Sequence, residues 1–244
     1  MDLRKHVEHH NLVRDSLLLK VRLFGLFISL WKEDFMNIIV GKNAGFCFGV
    51  KRAVDGCLCE INKDSKKIYC LGELVHNREV INNLKNNGIT FVDDISKIKE
   101  KNVKLIIRAH GIDKKIYKKA HEKGIEVIDF TCPFVAKIHD IVESYKKKGY
   151  YILLVGDKHH PEIIGTSSYC GNDYAIISNE DDLEIELNKL EKKGINNLLV
   201  IVQTTFGKKK FELLEKILKE RIDSKFNLVI KNTICNAASI RQME

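Results

Sequence analysis

Four times in this chain a lysine- or asparagine-rich stretch with helical character ends in glycine, and an apolar run begins at once. The four are NNG at 86–88 before ITFV, EKG at 122–124 before IEVI, KKG at 147–149 before YYILLV, and KKG at 192–194 before INNLLVIV. Glycine can take the left-handed conformation that closes a helix, so each of these is a helix stop with a strand directly behind it. Strand candidates, rich in β-branched residues, lie at 38–40, 68–71, 89–92, 103–107, 125–128, 151–155, 174–177, 198–202 and 228–230. Strands that alternate with helices in this way pair in parallel, because the intervening helix supplies the crossover, and the fold class is α/β. The helix over 134–145 places Phe134, Ile138, Ile141, Val142 and Tyr145 on one stripe, as a helix covering a sheet requires.

A length of 244 residues with 44% hydrophobic and 30% charged content supports a sizeable core and excludes the disordered, collagenous and membrane-embedded classes. The formal charge of +8 comes largely from short lysine runs such as 146–148 and 208–210, which read as solvated helix faces. No interleaved aromatic and basic pattern accompanies them, so no nucleic-acid partner is expected. The first 35 residues stand apart. Their apolar stretch at 16–31 is interrupted by Lys20 and Arg22, is too short to span a bilayer, and is followed by no small-residue cleavage site. Residues 1–35 are therefore read as an extension ahead of a start at Met36, with a membrane-surface helix as the alternative.

Seven cysteines, at 47, 57, 59, 70, 132, 170 and 235, form no C-x-x-C pair, and an odd number without a signal peptide fits a reducing cytoplasm. Three of them share a setting. Cys47, Cys132 and Cys235 each follow a β-rich run through a short loop, and a helical pattern begins just after each. They lie 85 and 103 residues apart, which reads as an approximate repeat of one small α/β module. A helix N-terminus presents free N–H groups and the positive end of the helix dipole, a setting that favours thiolate. Three such ends brought together would hold an anionic metal–thiolate cluster. Cys57, Cys59, Cys70 and Cys170 sit within helical or strand patterns and are expected to be core residues.

Further polar residues cluster just past the expected strand ends, where open α/β sheets bind ligands. His76 follows 68–71, His110 follows 103–107, His160 and Glu162 follow 151–155, and Thr204 with Thr205 follows 198–202. Histidines beside a carboxylate and a hydroxyl describe a pocket for an anionic substrate with a proton source. His6, His9, His10, His121, His139 and His159 are expected to be surface or satisfied core residues.

The segments GFCFGVKRAV, ELVHN, RAHG, TCPFVAKIH, HHPEIIGT, QTT and NTIC resemble, in this order, those of the 4-hydroxy-3-methylbut-2-enyl diphosphate reductase family, over essentially everything from Met36 onward. The resemblance implies a three-lobed, pseudo-threefold arrangement of parallel-sheet modules around a central [4Fe–4S] cluster. The lobes would be 36–131, with 36–46 possibly pairing with the third lobe, 132–231, and an incomplete third lobe from 232 to 244. It implies Cys47, Cys132 and Cys235 as cluster ligands, His76, His110 and His160 around the diphosphate, Glu162 as proton donor, and Thr204 on the substrate hydroxyl and proton relay. Most clusters of this type take four cysteines, so three leave one iron open to substrate. No nicotinamide or flavin fingerprint is present, and ferredoxin or flavodoxin is the implied electron donor. The family's later Ser-x-Asn motif and serine have no counterpart here, so the chain is expected to be a fragment, weak or inactive as a reductase on its own. A three-cysteine zinc site with a histidine, or a cluster-bearing redox sensor without turnover, are the alternatives from other classes.

Overall fold

The computed structural model describes residues 44–222, 226–237 and 240, all within one compact unit, residues 42–244. The strand expected at 38–40 and the extension 1–35 lie outside the described residues, as do His6, His9 and His10. In chain order the elements are α1 (Phe48–Ile61), β1 (Ile68–Leu71), α2 (Arg78–Asn86), β2 (Ile89–Val92), a 3₁₀ turn (Ile95–Lys97), β3 (Lys104–Ile107), α3 (Lys114–Glu122) and β4 (Glu126–Asp129). They continue with α4 (Pro133–Lys147), β5 (Tyr151–Val155), α5 (Pro161–Cys170), β6 (Tyr174–Ile177), α6 (Glu180–Lys193), β7 (Asn197–Val202), α7 (Lys208–Arg221) and β8 (Asn227–Lys231).

The strands form two four-stranded parallel sheets, ordered β2-β1-β3-β4 and β6-β5-β7-β8. The two orders are the same permutation, so the chain writes one module twice. The central strands β1, β3 and β5 are buried along their whole length, and β7 is buried after its first residue. A parallel strand covered on both faces must be apolar throughout, which is why IYCL, KLII, YILLV and NLLVIV read as near-continuous runs rather than alternating ones. In the first sheet Ile68 and Cys70 face one core cluster, while Tyr69 and Leu71 face the other. In the second, Leu153 and Val155 face one cluster, with Ile152 and Leu154 on the opposite face.

The glycine stops take the conformation that their position demands. Gly88, Gly124, Gly149 and Gly194 have φ of 98°, 66°, 77° and 64°. The lysine runs at 146–148 and 208–210 are exposed. One core cation departs from the apolar rule: Lys104, 1% exposed at the start of β3, places Nζ 2.8 Å from both Glu60 at the end of α1 and Asp64 just beyond it. This pairing clasps the C-terminal end of α1 to the sheet.

Two expectations need correction. Phe134 does not join the buried stripe of α4 and is 53% exposed, while Val135, Ile138, His139 and Val142 face inward. The helix starts at Pro133, and its buried face runs through 135, 138, 139 and 142, which turns residue 134 outward. Cys59 is exposed, whereas Cys57, Cys70 and Cys170 are buried. It is two positions from Cys57 on α1, and a two-residue step on a helix points to a different side. The first sheet spans residues 68–129 and the second 151–231. Of the lobe expected from 232 onward, only 232–237 and 240 are described, and no strand falls among them. No helix among the described residues is long and apolar enough to cross a membrane.

Candidate active site

The three cysteines open onto one cavity. Cys47 is the residue preceding α1, and Cys132 precedes α4, whose first residue is Pro133. Helical residues 236–237 follow directly on Cys235. The thiols of Cys47 and Cys132 make no capping hydrogen bond, although each carbonyl begins its helix by accepting from Lys51 N or Ala136 N at 2.8 and 2.9 Å. A cavity of about 130 Å³ is lined by Cys47, Cys132, Cys235, His110, Glu162 and Thr204 among others. Burial raises the pKa of the Cys132 thiol, the Cys47 and Cys235 thiols add to this, and the N–H groups of Phe134 and Val135 oppose it. The three sulfurs are therefore near enough to feel one another.

Backbone contacts fix this convergence. Cys132 N donates to Ala109 O at 2.9 Å, and Cys235 N donates to Thr204 O at 2.8 Å, so the second and third cysteines hang from the ends of β3 and β7. Thr233 Oγ1 accepts from Val202 N at 3.0 Å and donates to Val202 O, closing the loop after β8. The first cysteine is placed by close packing of α1 on the turn before Cys132. A Cβ at Gly49 would meet Cys132 Sγ at 2.6 Å, and one at Gly56 would meet the Phe130 ring at 2.3 Å. Between them Arg52 donates to Thr131 O at 2.9 Å and Asp129 O at 3.3 Å. No sequence rule had marked Gly49, Arg52 or Gly56. Their 49/52/56 spacing on one helix face is the signal that was available.

No three His, Cys, Asp or Glu side chains among the described residues lie close enough to share one metal ion. The thiols instead surround a space, at helix ends that favour anionic sulfur, and Gly49 leaves the room a side chain would fill. That donor set fits a polynuclear iron–sulfur group better than a single zinc ion.

Glu162, in the first turn of α5, is 2% exposed. Thr204 N donates to its Oε1 at 2.7 Å, and Thr204 Oγ1 donates to Oε2 at 2.6 Å. Burial raises the carboxyl pKa even though both Thr204 contacts oppose the shift. The neighbouring loops are locked by Gln203, which accepts from Asp157 N at 3.0 Å and donates to Thr205 Oγ1 at 2.8 Å. Thr205 is exposed.

His76, His110 and His160 stand in a row, with ring centroids 5.3 and 5.5 Å apart along it. His160 Nδ1 accepts from Glu162 N at 3.2 Å, so in the neutral ring Nε2 carries the proton. Burial lowers the pKa of His160, helped by His76 and Arg108. Burial also takes His110 down to about 3, with Arg108 and the other two histidines contributing. An anion arriving beside His110 and His160 would offset the burial that holds them neutral, and this row of ring N–H groups is suited to receive one. His121 and His159 are at the surface as expected. His139 is not a satisfied core residue, since it is 6% exposed, stacked on Tyr169, and its Nε2 has no partner.

The LytB protein family model matches residues 38–244. A 4-hydroxy-3-methylbut-2-enyl diphosphate reductase from Alkaliphilus oremlandii is 44% identical over 209 residues, covering 85% of this chain and 71% of that protein. The reductase of a Thermoanaerobacter species is 43% identical, covering 85% of this chain and 69% of its own length. Among solved structures, an E-1-hydroxy-2-methyl-but-2-enyl-4-diphosphate reductase from Plasmodium falciparum matches with a TM-score of 0.74 at 32% identity, over 82% of this chain and 61% of its own. A structure described as (E)-4-hydroxy-3-methyl-but-2-enyl diphosphate reductase, the terminal enzyme of the non-mevalonate pathway, matches with a TM-score of 0.72 at 34% identity, over 84% of this chain and 70% of its own.

Proposed function

The chain belongs to the LytB protein family, and from that premise we propose that it carries out the reductive dehydroxylation of (E)-4-hydroxy-3-methylbut-2-enyl diphosphate to isopentenyl and dimethylallyl diphosphate. The observation that carries this reading is the meeting of Cys47, Cys132 and Cys235 with Glu162 and Thr204 on one cavity. Cys47, Cys132 and Cys235 would hold a [4Fe–4S] cluster, which when bound would pass on, one at a time, the two electrons that removal of a hydroxyl requires. Those electrons reach the protein from a separate donor of the ferredoxin or flavodoxin class.

The remaining residues bind, orient and protonate. His76, His110 and His160 take up the diphosphate. Each can donate from a ring N–H, and an arriving anion opposes the burial and the neighbouring positive groups that lower the pKa of His110 and His160. Glu162 gives a proton to the departing hydroxyl, which leaves as water, and its raised pKa keeps it available as an acid. Thr204 holds the carboxyl through two contacts and extends the path for the proton toward the substrate hydroxyl. Two electrons and two protons are consumed per water released, one proton going to oxygen and one to carbon.

The test is anaerobic reconstitution with iron and sulfide, followed by assay with a reduced viologen dye and product detection by mass spectrometry. Both isoprenoid diphosphates are expected. Zinc uptake without sulfide would overturn the cofactor assignment, and near-parental turnover in Glu162→Gln would overturn the catalytic one.

A further inference from the structure

Arg108 directly follows β3 and precedes His110 by two residues. Its side chain lies against Gly72, where a Cβ would come within 2.7 Å of Nη1, and Gly72 itself has φ of 72°. A glycine there lets the guanidinium lie over the end of β1. Arg108 is half-buried, and its Nε is buried with no hydrogen-bond partner. Among the described residues no carboxylate comes within ion-pair reach of it, and Glu73 and Cys70 act on it only through space. Lys104, four residues earlier and also buried, has two carboxylates 2.8 Å away.

A guanidinium cannot shed its proton to escape burial, so an unpaired one calls for an anion. Its place is fixed by the chain: it stands two residues before His110, and its guanidinium lies against Gly72, four residues before His76, whose ring is 5.3 Å from that of His110. Four groups that carry or can accept positive charge thus gather past the ends of β1, β3 and β5; among the described residues the only acidic side chain paired with any of them is the exposed Glu73, 3.9 Å from His76, while Asp157 acts on His160 through space. We propose that Arg108 is a fourth anion-binding group of the site, holding the phosphate end of the diphosphate substrate alongside His76, His110 and His160. This rests on the diphosphate reading above. Its planar fork matches two phosphate oxygens at once, which an imidazole cannot do.

The experiment uses the cluster-loaded chain, with inorganic pyrophosphate as the probe in calorimetry and the diphosphate substrate in steady-state assay. Arg108→Gln should weaken pyrophosphate binding at least about tenfold, as expected for a lost charge-assisted contact. It should raise KM while leaving iron content and kcat near those of the parent. Arg108→Lys keeps the charge but not the fork and should fall between the two. Loss of Arg108 should also move to higher pH the point at which pyrophosphate binding falls off as the histidines lose their protons, because His110, and His160 with Asp157 acting in the same sense, then stay protonated longer, and a purely structural role would not do this. Unchanged pyrophosphate affinity in Arg108→Gln with normal iron content overturns the proposal. If that variant does not fold, unchanged affinity in Arg108→Lys does so. A parent protein that neither binds pyrophosphate nor turns over substrate brings down the diphosphate reading itself.

Discussion

Glu162 is buried with both oxygens engaged by Thr204, and this fixes how it should behave when altered. Glu162→Gln keeps the shape but cannot give up a proton, so turnover should fall by about a hundredfold or more while iron content stays at the parental level. Retention of near-normal turnover would place the acid elsewhere. The same residue makes a thermodynamic prediction. Its folded pKa is raised, so the stability it contributes is present below the ordinary carboxyl range and lost as pH rises through the raised value. The melting temperature of Glu162→Gln relative to the parent should therefore increase as pH rises above the ordinary carboxyl range. His110 runs the other way. Its pKa is lowered from 6.5 to about 3, so its contribution is present above 6.5 and is lost as pH falls toward 3. His110→Asn should flatten the acid side of the stability profile, and bound pyrophosphate, by favouring the charged ring, should do the same for the parent.

At the scale of elements, helix α1 delivers Cys47 to the cavity, and it is fixed at both ends. At its N-terminal end Gly49 and Arg52 dock on the turn before Cys132; at its C-terminal end Lys104 grips Glu60 and Asp64. Gly49→Ala would put a methyl 2.6 Å from Cys132 Sγ, closer than packed atoms approach, so α1 or the thiol must move. Cluster retention should drop severalfold while the far-UV dichroism is unchanged, measured as iron per chain after anaerobic reconstitution. Lys104→Met has the opposite signature. Removing the cation leaves Glu60 and the partly exposed Asp64 without their partner, and chemical denaturation should show a lower midpoint. Cluster content in the surviving folded fraction should stay near that of the parent, because the cavity end of α1 is held separately.

The whole molecule is needed to bring the three cysteines together, since they come from chain positions 85 and 103 residues apart. Replacing Cys47, Cys132 or Cys235 by serine should abolish most cluster retention, followed through the visible absorbance of the reconstituted protein. Cys59→Ser provides the control, because Cys59 is exposed and lies outside the cavity lining. Equal loss in that variant would sink the ligand assignment. The chain spans 71% of the length of the Alkaliphilus oremlandii relative and 69% of that of the Thermoanaerobacter one.

What the sequence determined by itself was the local order: the glycine stops, the buried parallel strands, and the placing of Cys47, Cys132 and Cys235 directly before helical residues, with a strand ahead of the last two. These follow from short-range causes, namely the positive φ that Gly88 or Gly194 permits and the apolar continuity that a doubly covered strand such as YILLV must have. The histidines, Glu162 and Thr204 were legible for a related reason, since parallel strands deliver their following loops to one edge of a sheet. Tertiary structure decided what depends on residues far apart in the chain meeting. The outward turn of Phe134 and of Cys59 came from which helix face met the core. The close approach of Gly49 to Cys132, the Glu162–Thr204 pair and the unpaired guanidinium of Arg108 beside the histidines exist only once the modules are folded. No spacing along the chain encodes these contacts, because side-chain direction and burial are set by the packing of sheet and helix rather than by neighbours in sequence.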